Sequence, residues 1–118
     1  MASGNPIKEK SFAFAVRVVK LSQYLAKEKK EYILSKQVLR AGTSIGALYR
    51  EAEFGQSKKD FIHKLGIAQK EANETLYWLE LLKETDHLDD EQFSSIYHDA
   101  EELIKLLTSI IKSAKAKN

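Results

Sequence analysis

Between Ser57 and Thr85, small and apolar residues recur at Phe61, Leu65, Ala68, Ala72, Thr75, Leu79 and Leu82, at spacings of 4, 3, 4, 3, 4 and 3. That rhythm is the seam of a helix packed lengthwise against other helices. Ile62, Leu76 and Trp78 widen the stripe, so this helix is predicted to face more than one neighbour. Ser57 stands where an N-cap belongs, with Asp60 three residues on to complement the free N–H groups and the helix dipole. About 28 residues rising 1.5 Å each make a rod of roughly 40 Å, around which the other segments are expected to pack.

Three further helices follow from the same pattern. The first, from about Ser11 to Lys27, carries two apolar stripes: Phe14, Val18, Leu21 and Leu25 on one side, Phe12, Val16 and Val19 on the other. A helix apolar on two sides must bury both. The second stripe is therefore read as a subunit interface of a homo-oligomer, the alternative being that these residues lie under loop ends. Residues 1–10 are expected to form a flexible lead, with the first cap near Asn5–Pro6 or at Ser11. Lys27 to Glu31 reads as a charged turn, with Ser35 predicted to cap a second helix that runs to about Glu53. That helix contains Gly42 and Gly46 one turn apart. Glycine inside a helix costs about 1 kcal/mol relative to alanine and is tolerated where a neighbouring helix comes close. A phosphate-cradling loop is the functional alternative, but no glycine-rich nucleotide fingerprint accompanies the pair. Gly55 is expected to end the helix. Asp89 and Gln92 form a capping-box pair, stapled by Leu88 and Phe93, ahead of a fourth helix with Ile96, Ala100, Leu103, Leu107 and Ile111 on its seam. The expected architecture is an all-α, up-down-up-down antiparallel four-helix bundle filling one domain over residues 11–116.

Composition narrows the class. The chain has 118 residues, one proline, five glycines and no cysteine. Such a length buries a core without disulfide staples, and thiolate metal sites are excluded. The polar start has no signal-peptide pattern, and no apolar run approaches the roughly 20 residues of a membrane span. A cytoplasmic protein without membrane attachment is expected. The net charge of +2 conceals an asymmetry: residues 1–40 hold nine Lys/Arg against three acids, whereas residues 71–111 hold two against eleven. Opposite-sign faces can select neighbouring helices or subunits. They can also set aside a basic face for nucleic acid.

Candidate chemistry is sparse. Glu84 and His87 match Glu-x-x-His once, at a helix end and without the second copy that a carboxylate-bridged metal bundle needs. His63 points away from its helix seam, and His98 lacks a glutamate three residues before it. No serine sits in a nucleophile elbow. Glu71 and Glu74 are read as partners of Lys or Arg. The expectation is a protein without enzymatic activity, cofactor or metal. For nucleic acid the candidates are Arg17, Lys20 and Lys27 on one flank of the first helix, with Tyr24 among them to stack on a base. Lys29 and Lys30 in the turn, and Lys36 and Arg40 on the second helix, complete the set. No helix-turn-helix, RNP or zinc-finger signature accompanies them, so solvated lysines are the alternative.

Three blocks carry a resemblance: Arg40-Ala-Gly-Thr-Ser44-Ile45-Gly-Ala-Leu48-Tyr-Arg-Glu51-Ala52, Ser57-Lys-Lys-Asp-Phe61-Ile-His-Lys-Leu-Gly-Ile67-Ala68, and Lys70-Glu-Ala-Asn-Glu74-Thr-Leu-Tyr-Trp78-Leu79. In this order and spacing they resemble the bacterial four helix bundle protein family, also described as large-subunit (23S) rRNA intervening-sequence proteins. The likeness extends over about residues 11–111. It implies a four-helix bundle and a homopentameric barrel. It also implies kinship with the accessory variability determinant of diversity-generating retroelements, which binds a reverse transcriptase and nucleic acid through a basic surface. Ser44, Ile45, Glu51, Phe61, Ile67, Ala68, Glu74 and Trp78 match the motif and are expected to hold the fold. Leu48 departs from the family's usual asparagine. The reading that results is a non-enzymatic homo-oligomeric bundle binding RNA or DNA through a basic face of the first two helices. Its rival is a scaffold whose partner is protein.

Overall fold

A computed structural model describes residues 5–117, all of the regular structure in them helical. Four helices, α1 (Pro6–Glu28), α2 (Leu34–Glu53), α3 (Lys58–Glu84) and α4 (Asp90–Ala116), are joined by short turns. Neighbours in sequence pack against each other, α4 closes more loosely on α1, and the diagonal pairs make no close backbone approach. The result is an antiparallel up-down-up-down bundle of 49 × 26 × 23 Å.

The predicted seams are the core. Leu65, Ala68, Ala72, Thr75, Leu79 and Leu82 of α3 are fully buried, with Phe61 half-buried at its start. Phe14, Val18 and Leu25 of α1, Val38, Ala41 and Ile45 of α2, and Ile96, Ala100, Leu103 and Leu107 of α4 meet them. Each large aliphatic side chain removed from water contributes about 1.5–3 kcal/mol, which is what holds four otherwise marginal helices together. Thr75, polar and buried, returns its hydroxyl to the Glu71 carbonyl at 2.7 Å. The close approach predicted at the α2 glycines is present. A Cβ on Gly42 would stand 2.8 Å from Val18 Cγ2, and one on Gly46 would stand 3.2 Å from Ser11 Oγ.

Of the two cap positions expected for α1 the structure uses Asn5–Pro6, which shortens the lead, and the start of α2 differs from the sequence reading. Of the lead assigned to residues 1–10, residues 1–4 lie outside the described residues and Pro6–Lys10 are helical. Asn5 caps Lys8 N–H at 3.3 Å and Pro6 takes the first helical position, where its missing donor is no loss. The Asn5 side chain also bonds the Tyr49 hydroxyl, tying the start of α1 to the end of α2. Ser35 does not cap α2. It is buried at the second helical position, two residues past the cap, and the Glu31 carboxylate instead accepts from Ile33, Leu34 and Ser35 N–H at 3.2, 3.1 and 2.7 Å. A longer acidic side chain from the turn reaches the same orphan donors and adds charge to the positive end of the dipole. The other two caps are as expected: Ser57 on Asp60 N–H, and the reciprocal Asp89–Gln92 box.

Candidate nucleic-acid interface

The eight basic and aromatic candidates do not form one face. Arg17 points toward α4, where its guanidinium donates to Asp99 Oδ2 at 2.6 Å and to Ser95 Oγ at 3.0 Å. Arg40 points toward α3 and is held between Glu71, at 3.0 Å, and Glu74. The Glu71 hydrogen bond is the main reason its pKa lies above the ordinary arginine value. These two arginines therefore sit on opposite sides of the bundle with their charges offset. The expected pairing of Glu71 and Glu74 with a basic residue is met by Arg40, whereas the pairing of Arg17 with Asp99 was not expected.

The five lysines behave differently. Lys20, Lys27, Lys29, Lys30 and Lys36 are exposed, and no carboxylate among the described residues forms an ion pair with them. Four of them gather at one end of the bundle, on the last turn of α1, the α1–α2 turn and the first turn of α2. The backbone turns sharply there, with Lys30 at φ 55°, in the left-handed region usually reserved for glycine. Glu31, the acid nearest in sequence after them, is committed to the α2 N-terminus.

Tyr24 is half-buried and packs on the core, with part of its surface lining a groove against α4. The aromatic that stands free among the lysines is Tyr32, 53% exposed, beside Ile33 at 76%. Sequence reasoning passed over this pair. The signal was an apolar dipeptide directly after a lysine-rich turn and before any helix that could bury it. The opposite corner, the α3–α4 turn at the same end, holds Glu84, Asp86, Asp89, Asp90 and Glu91, so the end is strongly dipolar.

The second apolar stripe of α1 is uncovered. Phe12, Val16 and Val19 are 59, 41 and 38% exposed, and no loop lies over them. Phe12 has the Arg50 guanidinium 5.7 Å above its ring and forms the rim of an α1–α2 groove of about 310 Å³ with Ala15 and Ala47. The family-motif residues take the following places in the bundle. Ser44 Oγ donates to Ala41 O at 2.8 Å, and Ile45 and Ala68 are fully buried. Glu51 pairs with Lys64 at 3.0 Å, and Trp78 Nε1 donates to Glu74 at 3.0 Å, extending the Arg40 network. Phe61, Ile67 and Leu48 are half-buried, Phe61 and Leu48 against the core. His87 bonds Thr85 through Nδ1 at 2.8 Å, and among the described residues no three His, Asp or Glu side chains gather as metal ligands. No helix of the described chain is long and apolar enough to cross a membrane.

Fold and surface together define a four-helix bundle with exposed, unpaired lysines around the α1–α2 turn, a second set (Lys58, Lys59, Lys112, Lys115 and Lys117) at the other end, and an unpartnered apolar face. Residues 5–109 match the 23S rRNA-intervening sequence protein family, and the chain belongs to that family. A similar solved structure is that of a protein of unknown function from the S23 ribosomal protein family of Bacteroides thetaiotaomicron VPI-5482. The two chains are 59% identical and superpose with a TM-score of 0.89, over 90% of this chain and 98% of that one. No curated protein matches the chain.

Proposed function

We propose that this protein is a cytoplasmic, non-enzymatic homo-oligomer that binds RNA through the lysine-rich end built by the α1–α2 turn. The observation that carries the reading is the set of five exposed lysines without ion-pair partners, four of them on the α1–α2 turn and the helix turns flanking it, where Tyr32 is also exposed. Unpaired lysines release counterions when phosphates dock, and a free aromatic offers a stacking surface to unpaired bases. The family's link to 23S rRNA intervening sequences supports RNA as the ligand. Assembly is carried by Phe12, Val16 and Val19, an apolar stripe that a single chain leaves in water. Five subunits is the number that the family resemblance implies.

A scaffold that binds protein is the second reading. It is favoured by the internal pairing of Arg17 and Arg40, which removes two cations from the basic surface. Charge reversal separates the two. Lys27, Lys29 and Lys36 changed together to Glu should weaken RNA binding by on the order of a hundredfold at moderate salt while leaving oligomer size unchanged. RNA binding that survives the triple change overturns the assignment of this end. A change in assembly or in protein capture instead supports the scaffold.

A further inference from the structure

One groove combines an apolar floor, an aromatic ring and a lysine without an ion-pair partner. It lies between α1 and α4, has a volume of about 230 Å³, and is lined by Arg17, Lys20, Tyr24, Leu88, Gln92 and Ile96. Its floor is apolar, since Leu88 and Ile96 belong to the core. Tyr24 presents ring surface on one wall. Lys20 stands at the rim without an acid partner, and Lys27 lies two turns along the same flank, about 10 Å away. Arg17 is paired with Asp99 and fixes that wall through Ser95, while the Asp89 carboxylate at the groove's end is engaged as the α4 cap, accepting from Gln92 N–H at 2.7 Å. Gln92 spends its side-chain carbonyl on Asp89 N–H at 2.9 Å. Its amide NH₂ donates to no protein group among the described residues.

We infer that this groove takes one unpaired nucleotide of an RNA strand. The base lies on the apolar floor against Tyr24, Gln92 donates to a base-edge acceptor, and Lys20 and Lys27 hold the phosphates on either side. The inference rests on the RNA reading above and adds the class of RNA. A stacked duplex keeps its bases inside and cannot offer one to a pocket of this size, whereas loops and single strands can. Recognition is then of unpaired segments, with the lysine-rich end following the strand beyond the groove.

The test uses the nuclease-treated full chain and two labelled RNAs of equal length, one unpaired and one a perfect duplex, followed by fluorescence anisotropy. The unpaired strand should bind at least roughly tenfold more tightly than the duplex. Gln92→Glu retains the capping box, because glutamate serves equally at that helix position, and places a negative charge in the groove. It should cost roughly tenfold in affinity for the unpaired strand. Ser94→Glu, which adds the same charge on the exposed side of the same turn, should cost less than threefold. Equal or tighter duplex binding, or equal effects of the two variants, overturns the groove while leaving RNA binding by the lysine-rich end standing. Failure to bind either RNA overturns the RNA reading and the groove with it.

Discussion

Gly42 and Gly66 sit in the interiors of adjacent helices and have opposite reasons to exist. At Gly42 any Cβ collides with Val18, so the glycine sets the α1–α2 distance. At Gly66 an added Cβ meets nothing within 4 Å. Gly42→Ala should therefore destabilise the fold by about 1–3 kcal/mol through overpacking. Gly66→Ala should stabilise it by about 1 kcal/mol through helix propensity, both read by denaturant unfolding. A second residue-scale prediction concerns Tyr97, whose hydroxyl donates to Glu80 Oε2 at 2.7 Å. That bond, with burial and nearby charge behind it, pushes the phenol up from 10.0 to about 12. A group raised on folding contributes stability that is complete below its unfolded value and is lost as pH rises through the folded one. Ultraviolet titration should show one tyrosine ionising near pH 12, Tyr97→Phe should remove it, and stability should fall across the interval from 10 to 12.

At the scale of the helices, what the sequence revealed and what it hid follow one physical division. Interior seams were readable because burial imposes a 3.6-residue period on the chain itself, as Phe61 to Leu82 show. Capping by Ser57 and Asp89 was readable because the side chain and its target lie within three residues. The start of α2 was not, because Glu31 acts from outside the helix where serine was expected inside it. The turn after α1 was readable from its run of charges, but its sharp conformation was not, since Lys30 holds positive φ where glycine is the usual signal, as Asp86 does after α3. Arg17 and Arg40 looked free because their partners, Asp99 and Glu71, are 82 and 31 residues away in sequence. Glu31→Ala should lower stability by about 1–2 kcal/mol and fray the first turn of α2. Amide exchange at Leu34 and Ser35 reads this directly, and unchanged protection would count against the carboxylate cap.

The whole molecule has two surfaces that the bundle does not explain: the apolar stripe of α1 and the basic end. Changing Phe12 and Val16 together to Glu removes apolar contact and introduces like charges without touching the buried seam. It should give a folded monomer by light scattering with helical circular dichroism intact. An unchanged oligomer would place the interface elsewhere. The stripe begins near the start of α1, whereas Lys29, Lys30 and Lys36 lie at and beyond the α1–α2 turn, so assembly and RNA binding should fail separately in variants of Phe12 and of those lysines.

The most direct measurement of the central claim is the affinity of the nuclease-treated protein for a structured rRNA fragment with unpaired loops, at about 50 and 200 mM salt. Five lysine–phosphate contacts correspond to a slope near −4 in a logarithmic plot, or a loss on the order of a hundredfold over that interval. A complex that forms at low salt and weakens to that extent is the predicted result. No complex at the lower salt, or one indifferent to salt, would contradict RNA binding through the lysine-rich end.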